Sequence, residues 1–128
     1  MLRVLVLEDD NDLRCILHAL LSAFGADPCM CISSVKELRD EGARALGCGL
    51  AVLDINLGAG VPSGLDAYRW LKDQGYTGKI VFLTGHARSH PLVQEALELE
   101  HVQVLTKPIP SKVLMELVLG CAQGPDAA

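Results

Sequence analysis

Polar and charged side chains follow four of the short apolar segments in this 128-residue chain. An acidic triplet at positions 8–10 comes directly after the first segment, and Asp54, Thr84 and Lys107 each follow another. If the segments are parallel strands, their carboxyl ends meet at one edge of a sheet, where such folds bind ligands. Clustered carboxylates repel one another unless a cation offsets their charge, and Mg²⁺ prefers oxygen ligands of this kind. The pattern therefore predicts a site for one divalent ion at this edge.

Each of these residues also has an ordinary structural explanation when it is taken alone. Asp9 and Asp10 precede a helical segment, and acidic residues there stabilise a helix N-terminus. A single aspartate after a strand, such as Asp54, is often a turn residue, and the Lys107-Pro108 pair is typical of a loop. The repulsion within the whole cluster nevertheless favours a functional site, because isolated turn residues do not explain why so many charges converge.

Five apolar segments predict the strands that would position these residues. Three are continuous apolar tetrads, as expected for parallel strands buried on both faces, and two are weaker members of the same set. The predicted strands cover residues 4–7, 29–32, 50–53, 80–83 and 102–105. Because helical segments alternate with these strands, we expect a doubly wound α/β sheet in one domain, residues 1–123, with a disordered tail at 124–128.

The amphipathic segments between the predicted strands indicate five helices. The first has apolar residues at three- and four-residue steps over 13–24 and a glycine stop at Gly25. The second is expected to open with a capping box at Ser34 and to end before a glycine-containing turn at 47–49. The other three are expected to begin near Gly64, near Pro91, and after Pro110 with Ser111 as the cap.

The composition excludes several classes of protein. Eleven basic and 16 acidic residues give a net charge of −5, which argues against a protein that binds nucleic acid or an anionic membrane. Half of the residues are hydrophobic, so a disordered chain is excluded. The uncharged stretches are too short for a membrane span or a secretory signal, and we expect a cytoplasmic protein. The five cysteines lack CxxC spacing, which predicts buried reduced thiols rather than zinc ligands or disulfides.

Four short motifs occur in order along the chain, each at the end of a predicted strand. They are Leu7-Glu8-Asp9-Asp10, Asp54-Ile55-Asn56, Leu83-Thr84-Gly85 and Lys107-Pro108. Together they resemble the receiver domain of bacterial two-component response regulators, and the resemblance covers the whole chain. It implies a flavodoxin-like fold: a five-stranded parallel sheet in the order 2-1-3-4-5, flanked by five helices.

The resemblance also implies a phosphoryl-transfer site that contains Mg²⁺. Asp54 would be the phosphoacceptor, attacking the phosphohistidine of a sensor histidine kinase or of a histidine phosphotransfer protein. Asp9, Asp54 and the backbone carbonyl of Asn56 would bind the metal, and Glu8 would act through a metal-bound water. The expected activity is self-phosphorylation followed by autodephosphorylation rather than multiple-turnover catalysis.

Four further residues acquire roles from the same resemblance. Lys107 would pair with Asp54 and then with a phosphoryl oxygen, and the peptide bond before Pro108 is expected to be cis. The Thr84 hydroxyl would hydrogen-bond the phosphoryl group and so sense phosphorylation. Gly85 would leave an access path for the phosphodonor because it has no side chain.

Two positions bear on the lifetime of the phosphorylated state. Asn56 cannot act as a general acid or base, which also argues against a haloacid-dehalogenase-like phosphatase, whose motif has a second aspartate there. His86 could reach an attacking water, and we hypothesise that it tunes the hydrolysis rate. The alternative for His86 is an ordinary solvated loop histidine.

The chain departs from the commonest receiver pattern at two places. Val104 occupies the position, three residues before the lysine, where most receivers have a switching aromatic residue. The loop from Asp54 to Gly64 is about two residues longer than in the commonest receivers, with Gly58-Ala59-Gly60 inserted. The segment from Phe82 to His86 and the missing aromatic are similar to the "FAT GUY" subgroup of stand-alone receivers.

Signal output is expected through protein contact or onward relay, because no effector domain follows the last predicted helix. The kinase is expected to dock on the first helix, around Asn11, Leu13 and Arg14, and on the loop after Lys107. The alternative function is a pseudo-receiver that binds proteins independently of phosphorylation. Such a module would be expected to lack an acidic residue or the lysine of the site.

Overall fold

The computed structural model describes residues 2–123, in which five parallel strands form one sheet in the order β2-β1-β3-β4-β5. This confirms the predicted fold class and strand order. The predicted tail at 124–128 lies outside the described residues. The strands are β1 (Leu2–Leu7), β2 (Ala26–Ile32), β3 (Leu50–Asp54), β4 (Lys79–Thr84) and β5 (Val102–Thr106). The helices are α1 (Asn11–Ala23), α2 (Val35–Glu41), α3 (Ala43–Leu46), α4 (Gly64–Asp73), α5 (Pro91–Leu97) and α6 (Ser111–Gln123).

The central strands are buried on both faces because helices cover the sheet on each side. On β1, Leu5 and Leu7 contribute to one apolar core, and the alternate residues Val4 and Val6 contribute to the other. The two-residue periodicity of a strand sends successive side chains to opposite faces, so a continuous apolar run is what this architecture requires. The two cores fix the strand register and bring the carboxyl ends of β1, β3 and β4 together.

The prediction of five helices is wrong, because the second helical segment is divided in two at Gly42. This glycine has φ +53°, a left-handed conformation that ends α2, and α3 begins at the next residue. The Ser34 side chain caps α2 by accepting from the Glu37 N–H at 3.2 Å, but the Glu37 carboxylate bonds to the Ser33 hydroxyl. A complete capping box occurs instead at Ser63 and Asp66, at the start of α4.

Three smaller expectations also need correction. Ser111 is the first residue of α6 rather than its cap, and β2 begins at Ala26, three residues before the predicted strand. All five cysteines are free, but Cys15 is exposed on α1 and is therefore not a buried thiol. Among residues 2–123, no helix combines the length and apolar character that a membrane crossing requires.

Candidate phosphoacceptor site

Three buried polar side chains lie at the carboxyl edge of the sheet. Within residues 2–121, and leaving aside cysteines and Tyr76, the buried polar side chains are those of Glu8, Asp54 and Thr84. Glu8 follows β1, Asp54 ends β3 and Thr84 ends β4. Parallel neighbouring strands carry these residues to the same edge, so the buried polarity is concentrated at one place. Burial of two acids without structural need is costly, which marks the edge as a functional site.

Lys107 is the cation that faces the two buried acids. Its ammonium lies 2.8 Å from Glu8 Oε1 and 3.2 Å from Asp54 Oδ2. The residue directly follows β5, and its backbone N–H donates to the Thr84 carbonyl at 2.8 Å, which extends the pairing of β4 and β5 by one residue. The peptide bond between Lys107 and Pro108 is cis. If both carboxylates are ionised, one ammonium leaves a net negative charge inside the protein.

This charge imbalance acts on the titration of Asp54. The pKa of Asp54 is raised to about 8 by burial and by the neighbouring Glu8 carboxylate, with Lys107 acting in the opposite direction. The pKa of Lys107 is raised by the two carboxylates, although burial acts in the opposite direction. The site therefore retains a proton on Asp54 near neutral pH unless a second positive charge is present.

The acidic cluster fits a hard divalent cation. One carboxylate oxygen from each of Glu8, Asp9 and Asp54 lies within 4.8 Å of the others. Two oxygens bound to one Mg²⁺ are at most about 4.2 Å apart, so small side-chain movements or a bridging water would complete the ligand set. Glu8 Oε1 is buried and pairs with the Lys107 ammonium at 2.8 Å. With one ammonium shared between Glu8 and Asp54, the cluster has the donor oxygens and the acidic charge that suit a divalent cation or a water bound to one.

Asp10 is separated from this cluster by its role in α1. Its carboxylate accepts from the Leu13 N–H at 3.0 Å and caps the helix. The ordinary structural explanation is therefore correct for Asp10, whereas Asp9 is exposed and belongs to the carboxylate group. Of the acidic triplet, two residues face the site and one stabilises the element that follows it.

Thr84, His86 and Asn56 form a second polar group beside the acids. The Thr84 hydroxyl accepts from the backbone N–H of His86 at 2.9 Å. The Asn56 side-chain oxygen accepts from the Gly58 N–H at 3.0 Å, so its amide nitrogen donates to Nε2 of His86 at 2.7 Å. The His86 ring also lies against the His90 ring, with centroids 4.5 Å apart. The contact between Asn56 and His86 joins the loops after β3 and β4 across the mouth of the site.

Two glycines shape the space around Asp54. A Cβ on Gly64 would lie 2.2 Å from the Asp54 carbonyl oxygen, so only glycine allows α4 to begin this close to β3. The Gly64 N–H donates to the Ile55 carbonyl at 2.8 Å, which secures the approach. A Cβ on Gly85 would touch only the Lys107 Cδ, at 3.9 Å, an ordinary contact. Gly64 is thus required by the fold, whereas a side chain at Gly85 would affect only the access to the site.

Arg14 supports the acidic loop from α1. Its guanidinium donates to the Glu8 carbonyl at 2.8 Å and to Asn11 Oδ1 at 2.7 Å, and it also reaches the Asp9 carbonyl at 3.4 Å. Sequence reasoning assigned Arg14 to kinase docking and missed this contact, and it gave Gly64 no role beyond the start of a helix. The sequence did contain a signal for the role of Gly64. Glycine is a poor helix former, so its presence at the start of α4 could have indicated a close backbone contact there.

The two departures from the receiver pattern have a clear location. Val104 lies on β5 next to Phe82 of β4 and is partly buried. A valine side chain at this position is too short to adopt distinct inward and outward rotamers as an aromatic side chain can. Gly58 and Gly60 have φ +123° and +74°, so the inserted loop depends on glycine at both positions.

Comparison with known proteins assigns the family. The sequence model of the response regulator receiver domain matches residues 4–119. The response regulator protein TodT of Pseudomonas putida is 30% identical over 112 residues, which are 88% of this chain and 47% of the relative. The chain therefore spans about half the length of that curated relative.

Solved structures support the fold independently. A response regulator receiver domain protein from Clostridium thermocellum superposes with a TM-score of 0.82 at 21% identity, covering 99% of this chain and 98% of that chain. The N-terminal domain of an uncharacterized protein from Wolinella succinogenes gives a TM-score of 0.84 at 23% identity, with 99% and 98% coverage. The four motifs, the strand order and the match over residues 4–119 lead to one conclusion: the chain belongs to the response regulator receiver domain family.

Proposed function

We propose that the protein is a cytoplasmic, Mg²⁺-dependent phosphoacceptor that receives a phosphoryl group on Asp54. The donor would be the phosphohistidine of a sensor histidine kinase or of a histidine phosphotransfer protein. The phosphorylated protein would signal through protein contact or relay the group onward. The observation that carries this proposal is the burial of Glu8, Asp54 and Thr84 with Lys107 at one edge of the sheet.

The transfer requires an ionised carboxylate and neutralised charge. An Asp54 oxygen would attack the phosphorus atom, the new P–O bond would form as the P–N bond of the phosphohistidine breaks, and the released imidazole would take up a proton. Lys107 would stabilise the phosphoryl oxygens, and the contact of its ammonium with Asp54 supports this role. A divalent cation held by Asp9, Asp54 and the Asn56 carbonyl, with Glu8 through water, would supply the positive charge that keeps the carboxylates ionised.

Thr84 is suited to report the transfer. Its buried hydroxyl accepts a single hydrogen bond, from the His86 N–H, and can still donate. A phosphoryl group on Asp54 would provide a strong acceptor for that donation, and movement of the hydroxyl would alter the loop that begins at Gly85. The response to phosphorylation therefore starts in the loop between β4 and α5, without an aromatic residue at Val104.

Intact mass spectrometry tests the proposal directly. The full chain is incubated with Mg²⁺ and acetyl phosphate, and the mass is followed over time. We expect a transient gain of one phosphoryl group, which is absent from Asp54→Asn and absent when EDTA removes the metal. Asp73→Asn serves as the matched control, because Asp73 is an exposed aspartate at the end of α4, outside the site.

Two outcomes would contradict the proposal. No adduct, with acetyl phosphate or with any phosphorylated kinase or phosphotransfer protein, would favour a pseudo-receiver that acts by binding alone. Continuous release of phosphate without an accumulated adduct would favour a phosphatase. A stable adduct that survives Asp54→Asn would assign the phosphorylation to another residue.

The lifetime of the adduct tests the role of His86. The His86 ring is exposed, but the Asn56 amide donates to its Nε2 at 2.7 Å and so orients it beside the site. We expect His86→Ala to slow the decay of the aspartyl phosphate by about threefold to tenfold, less than a full general base contributes. The decay is measured by mass after the phosphodonor is removed, and an unchanged half-life would reject the role.

A further inference from the structure

Two cysteines of β2 form a close pair outside the phosphoacceptor site. Cys29 and Cys31 are two residues apart on a strand, so their side chains point to the same face of the sheet. Their sulfur atoms lie 3.9 Å apart, within hydrogen-bond range for thiols. β2 is an edge strand that pairs only with β1, and both cysteines border the apolar core on the α1 side. Neither thiol takes part in the chemistry proposed above.

The two thiols differ in exposure and in environment. Cys29 is buried, whereas Cys31 is partly exposed and therefore reachable from solvent. The hydrogen bond from Cys29 lowers the pKa of Cys31 and the nearby Arg14 guanidinium lowers it further, against the effect of burial. The same hydrogen bond, with burial, raises the pKa of Cys29. Cys31 is thus the accessible member of the pair and Cys29 the buried one, which is the arrangement of an attacking and a resolving cysteine.

We propose that Cys31 and Cys29 are a redox-active dithiol that hydroperoxides oxidise to an intramolecular disulfide. The Cys31 thiolate attacks one oxygen of hydrogen peroxide, the O–O bond breaks, and the hydroxide that leaves becomes water. Cys31 is then a sulfenic acid. The Cys29 sulfur attacks the Cys31 sulfur, the S–O bond breaks, and a second water leaves with the Cys29 proton. Two thiols lose two electrons, and one peroxide becomes two waters.

The geometry allows this disulfide and favours its easy reduction. A strand rises about 3.3 Å per residue, so the Cα atoms of Cys29 and Cys31 are about 6.6 Å apart. This separation is near the upper end of the range of about 4.4–6.8 Å that disulfides span. The sulfur atoms must approach from 3.9 Å to about 2.05 Å. An edge strand can yield for this approach more readily than a central one. A bond formed near its geometric limit is the labile, reversible kind rather than a structural one.

The experiment uses the full reduced chain and hydrogen peroxide. After brief exposure the oxidant is destroyed, remaining thiols are blocked with N-ethylmaleimide, and intact mass and peptide mapping locate the change. We expect the loss of two hydrogen atoms, two fewer blocked cysteines, a Cys29–Cys31 disulfide in the peptide map, and full reversal by dithiothreitol. Cys31→Ser should abolish the disulfide, and Cys29→Ser should stop at a Cys31 sulfenic acid trapped by dimedone.

Cys15→Ser is the matched control, because Cys15 is exposed on α1 and away from the pair. It should leave disulfide formation unchanged. A second measurement avoids variants: limited alkylation of the native protein with iodoacetamide should modify Cys31 about tenfold faster than the more exposed Cys15. Preferential oxidation or alkylation of Cys15, disulfides only between chains, or an unchanged disulfide yield in Cys31→Ser would overturn the proposal.

Discussion

The buried charges at the sheet edge and the ion pairs on the helices have similar distances but different consequences. Lys107 lies 2.8 and 3.2 Å from Glu8 and Asp54, and Lys36 lies 3.1 Å from Asp40 on α2. The acids at the edge are 1% and 5% exposed, whereas the Lys36 and Asp40 side chains are 87% and 66% exposed. Water screens the helix pair, but it reaches the buried group poorly.

The two groups differ in the strength of the interaction between their charges and in their net charge. At 4 Å two unit charges interact by about 1 kcal/mol in bulk water and by about 4 kcal/mol at the effective dielectric near a protein. The helix pair is neutral, whereas the buried group has two acids for one ammonium. The comparison teaches that the edge is not built for stability alone: its acidic excess suits a divalent cation, which the proposed phosphoryl transfer would need to offset the charge of the incoming group.

The largest effect is expected when the buried cation is removed. Lys107→Met leaves two buried carboxylates without their partner, and we expect a loss of about 3 kcal/mol in the free energy of unfolding at pH 8. Lys36→Met removes an exposed ammonium and should change the same quantity by less than about 0.5 kcal/mol. Urea denaturation in EDTA measures both. Equal stability of the two variants would mean that burial does not distinguish the two regions.

A second effect is expected from pH in the absence of metal. Because the pKa of Asp54 is raised to about 8 in the folded protein from about 4 when unfolded, the folded state holds more protons between these values. The stability that protonated Asp54 contributes is therefore fully present below about pH 4 and is lost as the pH rises through about 8. We expect the wild type to lose stability relative to Asp54→Asn over this interval, because only the wild type must release this proton.

Urea denaturation from pH 4 to 9 in EDTA tests this dependence. Addition of Mg²⁺ should reduce the difference between wild type and Asp54→Asn at high pH, because a bound cation favours the ionised carboxylate. Parallel stability curves for the two proteins would contradict the raised pKa. The exposed pair of Lys36 and Asp40 provides the contrast, since Asp40→Asn should leave the shape of the curve unchanged.

The smallest of the three effects concerns shape rather than charge. Gly64→Ala would place a methyl group against the Asp54 carbonyl, and we expect a loss of about 1 to 2 kcal/mol together with slower phosphorylation. Gly120→Ala, on α6 with open space around it, should instead stabilise by about 0.5 kcal/mol. Urea denaturation measures the change in stability, and the acetyl phosphate assay measures the rate of phosphorylation. Unchanged phosphorylation in Gly64→Ala would show that the site tolerates movement of α4.

The sheet and the acidic cluster could be predicted because their signals are local. A continuous apolar run must lie between two helical layers, and the residue at its end is then placed at the sheet edge. Asp54, Thr84 and Lys107 follow directly from that rule. The α/β class and the position of the site were therefore predictable from local patterns, whereas the strand order 2-1-3-4-5 came from the resemblance to receiver domains.

The remaining details depend on contacts that no local pattern contains. The hydrogen bond between Asn56 and His86 joins residues 30 positions apart. The close approach of Gly64 to Asp54 depends on the angle at which α4 meets the sheet. Gly42 divides a helix whose apolar periodicity gave no sign of a break. In each case the path of the backbone determines the contact or the break. The local sequence pattern is compatible with more than one such path.

Arg14 connects two chemistries that are otherwise separate. Its guanidinium holds the carbonyl oxygens of Glu8 and Asp9 and also supplies positive charge near the Cys31 sulfur. Oxidation would remove the negative charge of a Cys31 thiolate while leaving the arginine in place. On the two proposals above, this side chain would link the edge strand to the acidic loop, and we expect the oxidation state of Cys31 and the cation affinity of the acidic cluster to shift each other.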